Sequence, residues 1–181
     1  MASSLWFCTL FKLFFVLFCE GVFMQYQWLS SSVEQTHSIA ARIARLCYQA
    51  CHEQGILITL EGQLGAGKTA FSQGFIQSLL PTARVRSPTF SLLESYQTTT
   101  CMIHHLDLYR LSDAQELEYL GLRDLFWHSI CLIEWASNGV GWLPSADLAL
   151  IMQINGDERQ IVCHAKTEFG IKLLKQVIGT T

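Results

Sequence analysis

Gly62-Gln63-Leu64-Gly65-Ala66-Gly67-Lys68-Thr69 has the spacing G-x-x-x-x-G-K-[ST]. These residue types suit one chemistry, the grip on a nucleoside triphosphate. Glycines let the backbone curl until successive N–H groups point inward at phosphate oxygens. A helix opening at the end of the loop turns its N-terminal dipole toward the same charge. Lys68 is expected to reach the β- and γ-phosphates, and the Thr69 hydroxyl to ligate Mg²⁺. The expected nucleotide contacts are therefore Gly62, Leu64, Gly65, Ala66, Gly67, Lys68 and Thr69.

A phosphate loop needs an acid on the metal side, carried by the end of a neighbouring strand. Cys131-Leu132-Ile133-Glu134 is an apolar run ending in a carboxylate, and His105-Leu106-Asp107 is another. Asp107 and Glu134 are both expected to act, in the Mg²⁺ shell or in orienting the attacking water. His104 and His105 make a poor metal pair, because adjacent residues on a strand point to opposite faces and only one can face the site.

These groups must be positioned by regular elements. Ser32-Val33-Glu34-Gln35 fits a capping box. Ile39, Ile43, Leu46, Cys47 and Ala50 then recur at helical spacing, with the helix ending near Gly55. Ile56 to Leu60 reads as a buried strand, and Lys68 to Leu80 as a helix stopped by Pro81. Arg84 to Tyr96 predicts a strand region broken by Ser87-Pro88, and Thr98 to Thr100 a turn. Met102 to Leu106 and Ser129 to Trp135 predict buried strands, and Ala114 to Leu120 a helix ending at Gly121. Asn155-Gly156 between Asp147–Ile154 and Gln160–Ala165 is a hairpin signal, and Glu168 to Ile178 predicts a closing helix. Together these predict an α/β fold of the P-loop NTPase type. Its sheet would be parallel in the centre with antiparallel additions, and flanked by helices.

Composition narrows the partners. The 181 residues are 50% hydrophobic and 15% charged, which excludes a disordered chain and allows one domain with a sizeable core. The formal net charge is −3, with twelve Lys and Arg scattered along the chain, so nucleic-acid binding through phosphate contacts of its own is not expected. The seven cysteines contain no C-x-x-C and lie mostly in apolar stretches, as buried thiols of a reducing cytosol do. Cys47 and Cys51, one helical turn apart beside His52, have too few further ligands for a metal.

From Leu5 to Phe18 the chain is apolar except for Thr9 and Lys12. That is short for a membrane span and lacks the basic start and small-residue cleavage site of a signal peptide. Three readings remain: an extension ahead of a true start at Met24, a membrane or export segment, or a core element. Residues 1–23 are set apart as an N-terminal extension, and 24–181 are expected to form a single domain.

The chain resembles the TsaE (YjeE) family of small P-loop ATPases. The resemblance rests on Leu64-Gly65-Ala66-Gly67-Lys68-Thr69, Ser87-Pro88-Thr89-Phe90 and His105-Leu106-Asp107-Leu108-Tyr109-Arg110. It continues through Glu116-Leu117, Leu120-Gly121 with Asp124, and Ile133-Glu134-Trp135-Ala136. The resemblance covers residues 33 to 165. It implies ATP binding and Mg²⁺-dependent hydrolysis in the synthesis of N6-threonylcarbamoyladenosine at position 37 of tRNA. The implied partners are the TsaD and TsaB proteins, with tRNA met only through that complex, in the cytoplasm and with no stable membrane partner. It places metal and hydrolysis roles on Thr69, Asp107 and Glu134, with Trp135 beside them. Ser87-Pro88-Thr89 looks like the family's switch loop, with Thr89 sensing the γ-phosphate. Arg86 and Arg110 are expected either to stabilise transition-state charge or to form structural ion pairs. A small-molecule kinase would need a basic lid, and between Leu111 and Glu158 the only Lys or Arg is Arg123. A non-catalytic docking switch would have less need of two acids. No N-K-x-D stretch is present, which favours ATP over GTP only weakly.

Overall fold

The computed structural model describes residues 24–113, 115–119, 121 and 125–179. The apolar extension, Ala114, Leu120, Asp124 and Arg123 of the kinase argument lie outside the described residues.

The elements run β1 (Met24–Ser30), α1 (Val33–Ala50), β2 (Ile56–Glu61), α2 (Lys68–Leu79), β3 (Leu93–Gln97) and β4 (Met102–Asp107). A four-residue turn of helix α3 (Glu116–Tyr119), β5 (Ser129–Glu134), β6 (Leu148–Asn155), β7 (Glu158–Ala165) and α4 (Glu168–Gly179) follow. The strands form one seven-stranded sheet in the order β1-β7-β6-β2-β5-β4-β3. β6, β2, β5 and β4 are mutually parallel, while β3, β7 and β1 add antiparallel edges. The expected parallel centre with antiparallel additions is thus present. Its functional consequence is geometric: β2, β4 and β5 end on the same edge of the sheet, so Glu61, Asp107 and Glu134 emerge side by side.

Local chemistry explains the elements. Ser32 caps α1 by accepting from the Gln35 N–H at 3.2 Å, and Gln35 Oε1 accepts the Ser31 N–H at 2.8 Å. The reciprocal bond of the box therefore falls one residue earlier than the N-cap. Ile39, Ala40, Ile43, Ala44 and Cys47 bury one face of α1. They join Ile58, Leu60, Phe71, Phe75, Ile103 and Leu132 in the main core, between the sheet and the helices. The opposite sheet face carries a smaller core of Leu57, Leu106, Leu108, Leu117, Cys131 and Ile133. The five described cysteines are free and buried, and burial pushes the Cys131 and Cys163 thiols up to about 12. Among the described residues, no helix is long and apolar enough to cross a membrane.

Two differences from the sequence expectations bear on the site. β1 has no counterpart in the expected elements. It alternates with period two, burying Tyr26 and Ser30 while Gln25 and Gln27 point out, and it pairs with β7 from Met24↔Ala165 to Ser30↔Arg159. The expected strand region from Arg84 begins only at Leu93. Residues 84–92 run as a loop, since proline has no N–H to give a ladder and restricts the residue before it. This frees Ser87 and Thr89 to bend over the end of β4.

Candidate active site

The loop between β2 and α2 depends on glycine at two close approaches. Gly67 caps α2 at φ +104°, a conformation that side chains disfavour. Gly62 sits at φ +143°, and a Cβ there would fall 2.2 Å from the carbonyl oxygen of Met152 on β6. Gly62→Ala is therefore expected to cost about 1–3 kcal/mol through overpacking and strain, read as a lower unfolding midpoint in denaturant.

Lys68 folds back under the loop. Its Nζ donates to the carbonyls of Gly62 at 2.6 Å and Gln63 at 3.0 Å, and it lies 3.7 Å from the centre of the Trp135 ring. Burial lowers its pKa, and the carboxylates of Glu134, Glu61 and Asp107 act in the opposite sense. Trp135 holds that ring from a left-handed backbone, φ +59° and ψ +39°, which costs energy in a bulky residue. Its N–H donates to Leu60 on β2 at 3.1 Å, and its ring meets Tyr109 at 5.0 Å. The loop, the end of β5 and the segment after β4 are thus tied together around the lysine.

Glu134 is only 2% exposed. The Thr69 hydroxyl donates to its Oε2 at 3.0 Å, the Ser72 hydroxyl to its Oε1 at 3.2 Å, and His105 Nε2 lies 2.8 Å from Oε1. Thr69 and Ser72 are three residues apart on α2, so both present to the strand end beneath the helix. Asp107 belongs to a second cluster. Its Oδ2 accepts from the hydroxyls of Ser87 and Thr89, each at 2.6 Å, and its Oδ1 accepts the Tyr109 N–H at 3.0 Å. The switch-like segment is therefore held by the β4 acid directly.

Both clusters open on one cavity of about 230 Å³, lined by Lys68, Thr69, Ser87, Thr89, Asp107 and Glu134 among others. Leu64, Gly65 and Gly67 also line it. Gly62 and Ala66 do not; Gly62 packs against Met152 and Ala66 is fully buried, so their part is in shaping the loop. The donors facing the cavity are hydroxyl and carboxylate oxygens, the hard set that Mg²⁺ takes. Among the described residues no group of three or more His, Cys, Asp or Glu could hold a metal alone.

Arg86 and Arg110 form no ion pair among the described residues, and Arg110 instead stacks 4.4 Å from the centre of the Phe90 ring. Ser72 and His105 are contacts that sequence reasoning did not assign. The i, i+3 spacing from Thr69 marks Ser72, and alternation along β4 puts His105 on the face of Asp107. His104 points the other way, where its Nδ1 meets Ser95 Oγ at 2.8 Å.

Residues 30–161 match the family described as threonylcarbamoyl adenosine biosynthesis protein TsaE. The chain belongs to the TsaE family. It is 44% identical over 123 residues to the TsaE protein of Haemophilus influenzae, covering 67% of this chain and 78% of that one. It is 39% identical over 139 residues to TsaE of Bacillus subtilis, covering 76% and 84%. The crystal structure of Bacillus subtilis YdiB superposes with a TM-score of 0.69 at 27% identity, over 89% of this chain and 99% of that chain. Membership of the TsaE family places this chain in the biosynthesis of threonylcarbamoyladenosine in tRNA.

Proposed function

We propose that this TsaE-family chain binds ATP with Mg²⁺ and hydrolyses it slowly by itself. In the cell it would do so in the cytoplasm with TsaD and TsaB, as the energy-using component of tRNA N6-threonylcarbamoyladenosine synthesis. The observation that carries the reading is the Thr69–Glu134 hydrogen bond at the mouth of the glycine loop, beside Lys68. It joins the hydroxyl expected to turn to the metal with the strand-end acid that would orient water.

The residues divide the work as follows. The N–H groups of the loop from Gly65 to Thr69, with Gly62 and Ala66 keeping its shape, would hold the phosphate oxygens. Lys68 would exchange the loop carbonyls for the β- and γ-phosphates, which are stronger acceptors. Mg²⁺, when bound, would neutralise charge developing on the phosphate oxygens. Thr69 would turn its hydroxyl oxygen to that ion, freeing Glu134 Oε2 to help hold the ion's shell or to accept a proton from the attacking water. Thr89 and Ser87, held by Asp107, would feel the γ-phosphate and loosen once it leaves, as phosphate-ordered switch loops do. Asp107, which accepts from both hydroxyls, would also help hold the ion and so link hydrolysis to loop position. Partner proteins would respond to the loop, and supply what the isolated site lacks for transition-state charge.

The test is phosphate release by the purified chain alone, with tRNA alone, and with TsaD plus TsaB. Stimulation only in the last mixture is expected. Stimulation by tRNA alone, or tight tRNA binding at physiological salt without the other proteins, overturns the proposal.

A further inference from the structure

We infer that His105 is a positioning residue for Glu134. Through a hydrogen on Nε2 it holds one oxygen of the strand-end carboxylate inward, so that the other faces the cavity. The inference rests on the ATPase reading for its consequence, but not for its geometry.

His105 is fully buried on the face of β4 that α2 covers. Its Nε2 lies 2.8 Å from Glu134 Oε1, and its Nδ1 is buried with no hydrogen-bond partner among the described residues. An ionised carboxylate only accepts, so the ring nitrogen facing it must carry the hydrogen. A hydrogen on Nδ1 would be a buried donor with nothing to receive it, which folded proteins avoid more strictly than an unpaired acceptor. Both arguments select the same tautomer. Oε1 then accepts from His105 on the sheet and from Ser72 on the helix, two groups themselves buried. Rotating the carboxylate plane away would strand the His105 N–H, whose acceptor among the described residues is Glu134, whereas the Ser72 hydroxyl also has the Lys68 carbonyl at 3.2 Å. Oε2, whose contact is the movable Thr69 hydroxyl, is the oxygen left to exchange partners. His104 cannot substitute, because its ring is on the opposite face with Ser95.

Two variants separate positioning from filling space. His105→Leu keeps an apolar side chain in the core and removes the donor. His105→Gln places an amide N–H within reach of the same oxygen. ADP affinity is measured by calorimetry with Mg²⁺ and with EDTA, alongside phosphate release and thermal unfolding. His105→Leu is expected to lose about 10- to 100-fold of the Mg²⁺-dependent gain in ADP affinity, and a similar factor of phosphate release, as removal of a ligand's supporting partner does. ADP affinity in EDTA should stay within about twofold, because the contact removed lies on the metal side. His105→Gln should recover most of both losses. Long-range ¹⁵N–¹H correlation on the wild-type apo chain should show His105 protonated at Nε2.

A ring protonated at Nδ1 overturns the inference. So does wild-type coupling in His105→Leu, or a folded His105→Gln as impaired as His105→Leu. If His105→Leu does not fold, the tautomer and the His105→Gln coupling decide. A wild-type chain that couples Mg²⁺ to ADP but never releases phosphate removes the ATPase reading and leaves these two readouts to judge His105.

Discussion

Lys68→Ala is expected to abolish measurable nucleotide binding while the chain stays folded. Lys68 is the cation of the glycine loop, buried beneath it, and the nearby Glu134, Glu61 and Asp107 carboxylates favour its charged form. Without it, phosphate would approach a loop faced by three carboxylates and no compensating charge. Truncating one partner of a buried charge pair costs about 3–5 kcal/mol, which is a weakening of at least roughly 100-fold. The fold should survive, because the two carbonyls that Lys68 satisfies lie at the loop rather than in the core. Calorimetry with a non-hydrolysable ATP analogue reads the result, and unchanged affinity would retract the assignment of the loop.

The second large effect is expected at Glu134. The acid sits among three donors, so alanine would strand the His105 N–H in the interior, while the Ser72 hydroxyl could still donate to the Lys68 carbonyl at 3.2 Å. Each buried group left unpaired costs about 1–3 kcal/mol. Removing the carboxylate also relieves its repulsion of phosphate, a gain that does not reach the fold. Glu134→Gln is therefore the cleaner substitution, since its amide oxygen still accepts while the negative charge is gone. We expect Glu134→Gln to remain folded and to bind ADP in EDTA at least as tightly as wild type. Its phosphate release should fall by about 10²- to 10⁴-fold, the span for losing a positioned base. Wild-type turnover in single-turnover assays of Glu134→Gln would show that the acid has no part in the chemistry.

The chemistry and the chain order of the site were legible in the linear sequence. A glycine loop announces itself, because curling a backbone around an anion demands glycines, a lysine and a hydroxyl at fixed local spacing. Apolar runs ending in Asp107 and Glu134 announce strand ends, because buried parallel strands leave no alternation and must stop at a polar residue. The parallel centre followed from elements that alternate, and the hairpin at Asn155-Gly156 from two residues that accept positive φ; Gly156 sits at +59°. β1 was not legible. Its half-buried residues are worth little alone and become a strand only when β7 supplies a pairing edge.

Tertiary structure decided how the acids are used. Asp107 and Glu134 look alike as strand ends, yet one is tied to Ser87 and Thr89 and the other to Thr69, Ser72 and His105. Nothing local separates them, because their partners lie 18 to 65 residues away in the chain. The choice between His104 and His105 is similar. Alternation says that they face opposite sides of β4, but which side carries the site depends on where α2 packs. That packing is set by the apolar faces of α1 and α2 meeting one side of the sheet, a sum over many side chains that no short stretch contains.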